Sequence, residues 1–117
     1  EVEAYVKHED VAVHVYGNVG ELKWAVGELA KRSAGPIWVT EFNEWKAADE
    51  DAQIAYMKEA VAFLEASPDV AGYAWFMARI KDDRTRSLLA AAPGRLTRLG
   101  ETYVGLPAGK PASPRTP

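Results

Sequence analysis

The chain has 117 residues, 48% hydrophobic and 26% charged, enough for one domain with a buried core. Its net charge of −3 argues against a nucleic-acid partner, which asks for a basic face, and no apolar run approaches the length that spans a bilayer. Cysteine is absent, which excludes disulfides and thiolate chemistry.

The chain opens with Glu1-Val2-Glu3, neither an initiator methionine nor a signal peptide, and is expected to be a processed product or a piece of something longer. Residues Glu1 to Lys7 read as the end of a preceding helix. His8-Glu9-Asp10 has metal-ligand types, but sequential residues diverge in any regular element, so a solvated surface is expected and no metal site.

A first strand is predicted over 10–16, closed by Gly17-Asn18, and a helix follows over 21–32, with Leu22, Ala25, Val26 and Leu29 on one face. Trp24 in this helix reads as packing. A second strand, 37–41, opens after Gly35-Pro36 and stops on Glu41 among aromatics. Asp49 is a plausible N-cap for a helix over 50–66, whose Gln53, Tyr56, Met57, Ala60, Phe63 and Leu64 form a stripe that packs against a sheet. A third strand is predicted over 70–76 and a last helix over 96–104, after the Pro93-Gly94 turn. From Lys81 to Arg86 the chain is a charged loop, placed to reach a substrate because it follows the third strand. Residues 1–105 form the folded part, and 106–117, with four of the seven prolines, read as a disordered tail.

Strand starts near 11, 37 and 70 give a repeat of one strand plus one helix, roughly 25–35 residues long, as βα units require. The fold class is α/β, with about three βα units and parallel strands. A (β/α)8 TIM barrel takes about 250 residues, so the chain holds under half of one.

A carboxylate at the C-terminal tip of an apolar strand is where barrel enzymes place their chemistry. Helix capping does not explain Glu41, because the next helical pattern starts only near Glu50. If the strands are adjacent, their tips share one rim carrying His14 and Tyr16 from the first, Glu41 from the second and Trp75 from the third. Aromatic faces stack on pyranose rings, and a Tyr or His hydrogen bond would hold a carboxylate in place. No Gly-rich phosphate loop or Ser-His-Asp order is visible.

Asp10 to Gly17, Pro36 to Trp45 and Gly72 to Phe76 resemble, in order and spacing, the last three strands of glycoside hydrolase family 128, endo-β-1,3-glucanases with a (β/α)8 core. Trp38-Val39-Thr40-Glu41-Phe42 carries most of the match, and Ser87 to Tyr103 resembles the closing loop and final helix. The resemblance implies the C-terminal part of a retaining glycoside hydrolase with Glu41 as nucleophile, oriented by His14 and Tyr16, and Trp75 as the aromatic under the sugar. Asn43 and Trp45, on the loop after Glu41, are further candidate substrate-binding residues; Trp45 reads either as a sugar platform or as a ring folded back on the following helix. It further implies a β-glucan substrate, no cofactor and a secreted protein.

Family members carry their general acid/base as a glutamate after an asparagine at the end of strand four, a strand that has no counterpart here. Asn43-Glu44 mimics that dipeptide, but two glutamates on one loop would hardly flank a sugar, so Glu44 reads as a loop residue. The alternative readings are a non-catalytic carbohydrate-binding fragment and a half-barrel that self-associates through its open sheet edges.

Overall fold

The computed structural model describes residues 10–81, 83 and 85–109. The expected helix at 1–7, His8 and Glu9 of the candidate metal triplet, Asp82 and Arg84 of the charged loop, and the tail from 110 onward lie outside them.

Every element expected within the described residues forms, in the order β1 (Val11–Val15), α1 (Val19–Arg32), β2 (Ile37–Phe42), α2 (Glu50–Ala66), β3 (Val70–Trp75) and α3 (Arg98–Gly105). The strands make one parallel sheet in the order β1-β2-β3. Parallel neighbours need crossovers, and α1 and α2 supply them.

Helix α1 starts two residues before the expected Glu21, because Asn18 is its N-cap rather than part of a turn. The Asn18 side chain accepts from the Glu21 N–H and the Glu21 carboxylate accepts from the Asn18 N–H, at 2.9 and 3.3 Å. Asp49 caps α2 through the Ala52 N–H, as its position in sequence indicated. Helix α3 begins at Arg98 rather than Leu96, with Thr97 capping it through the Gly100 N–H.

The helices cover one face of the sheet. Val15, Ile37, Val39, Phe42, Val70 and Trp75 meet Leu22 and Val26 of α1, Met57, Ala60 and Leu64 of α2, and Leu99 of α3 in one buried core. Burying each such aliphatic side chain fully stabilises the fold by about 1.5–3 kcal/mol. On the opposite face Ala12, His14, Thr40 and Ala74 are exposed, and Trp38 lies across Gly72, where an added Cβ would meet the indole at 2.6 Å. The Trp38 indole N–H donates to Asp10 at 2.8 Å, so Asp10 anchors a ring.

Strand β2 is not regular. Val13 pairs with Val39 but His14 pairs with Glu41, so Thr40 is an extra residue in a bulge. The β2–β3 register shifts over the same stretch, between Val39 and Phe42. Strict alternation from Ile37 and Val39 would aim Glu41 into the helix-covered core. The bulge exchanges the faces: Phe42 enters the core and Glu41 turns to the open side.

At the other end of the chain, Leu106 packs against the core and the Gly109 N–H donates to Glu65 at 2.7 Å, so residues 106–109 dock on α2.

Candidate functional site

Because the strands are parallel, their C-terminal ends make one rim. Backbone bonds tie the loops there: Asn43 N–H to Val15 C=O at 3.2 Å, Trp45 N–H to Tyr16 C=O at 3.0 Å, and Phe76 N–H to Phe42 C=O at 3.1 Å. A cavity of about 700 Å³ opens on this rim between Tyr16, Trp45 and Phe76, with Glu21, Glu44 and Lys46 among its polar walls. Glu41 and His14 are not among its lining residues and adjoin it through Tyr16.

Glu41, His14 and Tyr16 come together as expected from their strands. The Tyr16 hydroxyl donates a hydrogen bond to Glu41 Oε1, and His14 Nδ1 lies 3.4 Å from the same oxygen. Glu41 Oε2 has no hydrogen-bond partner among the described residues. Both partners engage the same oxygen and leave the other without either of them. The hydrogen bond to Glu41, then partial desolvation, then the charge on Glu41 raise the Tyr16 phenol above its ordinary value, so it stays a donor.

Two expected sugar contacts are not where their sequence positions placed them. Trp75 is 6% exposed, ringed by Phe42, Tyr56 and Tyr103, with its indole N–H on the Arg86 carbonyl at 2.9 Å. The bulge puts Phe42 into the helix layer, and Trp75, its partner in the ladder, follows it. Asn43 is fully buried; its Nδ2 donates to the Phe76 carbonyl at 2.7 Å, joining the ends of β2 and β3. Neither side chain is open to a ligand.

Trp45 is 50% exposed and does not fold back on α2. The Arg86 guanidinium covers one indole face, 3.8 Å from the ring centroid, and Tyr16 meets the ring edge-on at 6.5 Å. Phe76, not singled out in the sequence, packs edge-on against Tyr16 at 5.6 Å and takes the wall position expected of Trp75.

Gln53, expected only as part of the stripe that packs on the sheet, is a fully buried clamp. Its Oε1 accepts from the Glu44 N–H and its Nε2 donates to the Glu44 C=O, both at 2.9 Å. Close by in charge, Glu44 and Glu21 act with burial, the larger cause, to push the Tyr56 phenol well above its ordinary value. Among the described residues no group of three His, Cys, Asp or Glu could hold a metal.

A larger depression, about 1120 Å³, lies between Glu50, Arg79, Lys81 and Arg98. It has no aromatic wall, and Arg98 is neutralised by Glu50 and Asp51. The aromatic cavity beside Glu41 is the better site on chemistry.

The sequence model of the glycosyl hydrolase catalytic core family matches residues 5–103. Among solved structures the chain is similar to a family 128 (subgroup II) endo-β-1,3-glucanase from Sorangium cellulosum, at 33% identity over 83% of this chain and 40% of that one, with a TM-score of 0.73. A second subgroup II endo-β-1,3-glucanase, from Pseudomonas viridiflava, is 34% identical over 88% of this chain and 40% of its own, with a TM-score of 0.64. A subgroup VII oligosaccharide-binding protein from Trichoderma gamsii shares the fold at 17% identity, covering 81% of this chain and 39% of its own, with a TM-score of 0.70. No curated protein matches the chain. The chain spans about 40% of the length of these structures, and its three βα units are part of a (β/α)8 barrel.

Proposed function

Because the chain belongs to the glycosyl hydrolase catalytic core family, we propose that it is the nucleophile-bearing part of a retaining glycoside hydrolase acting on β-1,3-glucan. The observation that carries this is the asymmetric seating of Glu41: Tyr16 and His14 both address Oε1, and neither engages Oε2. Oε2 would attack the anomeric carbon as the glycosidic bond breaks, and the leaving oxygen would take a proton from an acid. Water would then cleave the glycosyl ester. Tyr16 and His14 keep the carboxylate in line, while Trp45, Tyr16 and Phe76 offer ring faces and edges to the sugar.

A fluorosugar with a dinitrophenolate leaving group tests this, since such a group departs without a general acid. On incubation with the chain, mass spectrometry is expected to find the glycosyl adduct on the peptide holding Glu41 and none on Glu41→Gln. An adduct on another residue, or none despite bound sugar, would remove Glu41 as nucleophile.

A second reading is favoured by one observation. Among the described residues no second carboxylate joins the His14–Tyr16–Glu41 cluster, and Glu44 stands on the cavity wall with its backbone clamped by Gln53. By itself the chain would then bind glucan without cutting it. The outer edges of β1 and β3, unpaired among the described residues, are where it would pair with a second copy or with the rest of a barrel.

A further inference from the structure

We propose that Arg86 is a positioning residue that fixes Trp45 as a rigid platform for one glucose ring. The inference rests on the reading of the cavity as a glucan site. Trp45 sits on a loop, half exposed, and a bare indole there would swing between orientations. Arg86 removes that freedom in three ways. Its guanidinium lies on one indole face, Nη1 donates to the Trp45 carbonyl at 2.6 Å, and Nη2 pairs with Asp83.

Arg86 is itself built in. Asp83 Oδ1 accepts from the Thr85 and Arg86 N–H groups at 2.9 and 3.2 Å, folding the turn, and the Arg86 carbonyl holds the buried Trp75 indole. The side chain is only 18% exposed, and its Nε is buried with no acceptor among the described residues. A cation kept merely for surface charge would stay in water. Here a costly burial is spent on a stacked pair, and the stack occupies one face of Trp45 while the ring still lines the cavity. The planar guanidinium does what an ammonium would not: it stacks and hydrogen-bonds at once.

The experiment is calorimetric titration of the full chain with a β-1,3-linked glucose trisaccharide. The variants are Trp45→Ala, Arg86→Met, Arg86→Lys and the double Trp45→Ala/Arg86→Met, with far-ultraviolet circular dichroism as the folding check. Arg86→Met is expected to weaken binding about 3- to 30-fold, the range of a desolvated cation–π pair, and to raise acrylamide quenching of tryptophan emission. In the Trp45→Ala background the same change should cost nothing, because Arg86 acts through the ring. Arg86→Lys should fail to restore the affinity, and it carries the comparison if Arg86→Met does not fold. If the unmodified chain binds no trisaccharide, the glucan reading falls and this inference with it. If the chain binds but Arg86→Met binds equally well, or loses as much without Trp45 as with it, the inference alone is overturned.

Discussion

His14 and Glu41 stand opposite each other across the β1–β2 ladder only because Thr40 is bulged out of β2. The bulge is the device that puts a carboxylate on the open face of a strand whose neighbouring residues, Val39 and Phe42, are fully buried. With the same residues in regular register, Glu41 would lie under the helices, where an unpaired charge costs far more than the fold could sustain.

Restoring the rest of a barrel around this chain gives the assay for that carboxylate. Glu41→Gln should lower turnover by more than about 10³-fold while leaving the melting temperature and glucan affinity nearly unchanged, since amide and carboxylate have the same shape. Azide added to Glu41→Ala should recover cleavage with inverted product, as the anion fills the emptied space. Near-normal turnover in Glu41→Gln would end the assignment. Glu44→Gln should change affinity or nothing.

The elements were legible because each strand is short, apolar and bracketed by turn formers, and because Leu22/Val26 and Met57/Ala60/Leu64 repeat at helical spacing. Glu41, His14 and Tyr16 were legible as strand-end residues. Most of what escaped was decided by register or by packing far apart in sequence. Thr40 gives no sign of being a bulge, so Phe76 lines the cavity where Trp75 was expected. Gln53 falls on the packing stripe by spacing and turns out to be the clamp on Glu44. Asn18 followed a glycine and read as a turn, although Glu21 three residues on was the available signal for a capping box.

Gln53→Leu should detach the Glu44 loop. The substitution keeps the volume but leaves a backbone N–H and a C=O unpaired, a cost of about 1–3 kcal/mol each where they stay out of water. Hydrogen exchange at the Glu44 amide should quicken while amides in the middle of α2 keep their protection. Unchanged exchange at Glu44 would mean that the clamp does not hold the loop.

Phe42→Ala should be among the most damaging changes in the core. The ring is fully buried and packs edge-on against Tyr73 and Trp75, so its loss should cost about 3–5 kcal/mol. Urea denaturation measures it. A loss under 1 kcal/mol would contradict the inward position that the bulge assigns to Phe42.

The alkaline limb of stability has a definite sign. Burial chiefly, with Glu44 and Glu21, raises the Tyr56 phenol above its ordinary 10.0, and burial with the bond to Glu65 raises Tyr73. Both are neutral in the fold and ionise more readily when unfolded, so their contribution is whole below pH 10 and is lost as pH climbs beyond it. Tyr56→Phe should flatten that loss. It should also stabilise the neutral-pH fold by up to about 1 kcal/mol, because the Tyr56 hydroxyl is buried without a partner among the described residues. Melting temperatures from pH 7 upward check both, and a variant that lost stability as steeply as the parent would refute the assignment.

The capping box of α1 has a consequence for how this cavity could change. Asn18 and Glu21 line it and also begin the helix, each satisfying a backbone N–H of the other. A library randomised at these two positions to alter sugar preference would therefore select for folding first, since losing the cap costs about 1 kcal/mol before any ligand is met. Lys46, exposed on the same wall and with no side-chain hydrogen bond among the described residues, is free of that coupling. Drift in specificity should enter through Lys46, leaving Asn18 and Glu21 as its slowest-changing neighbours.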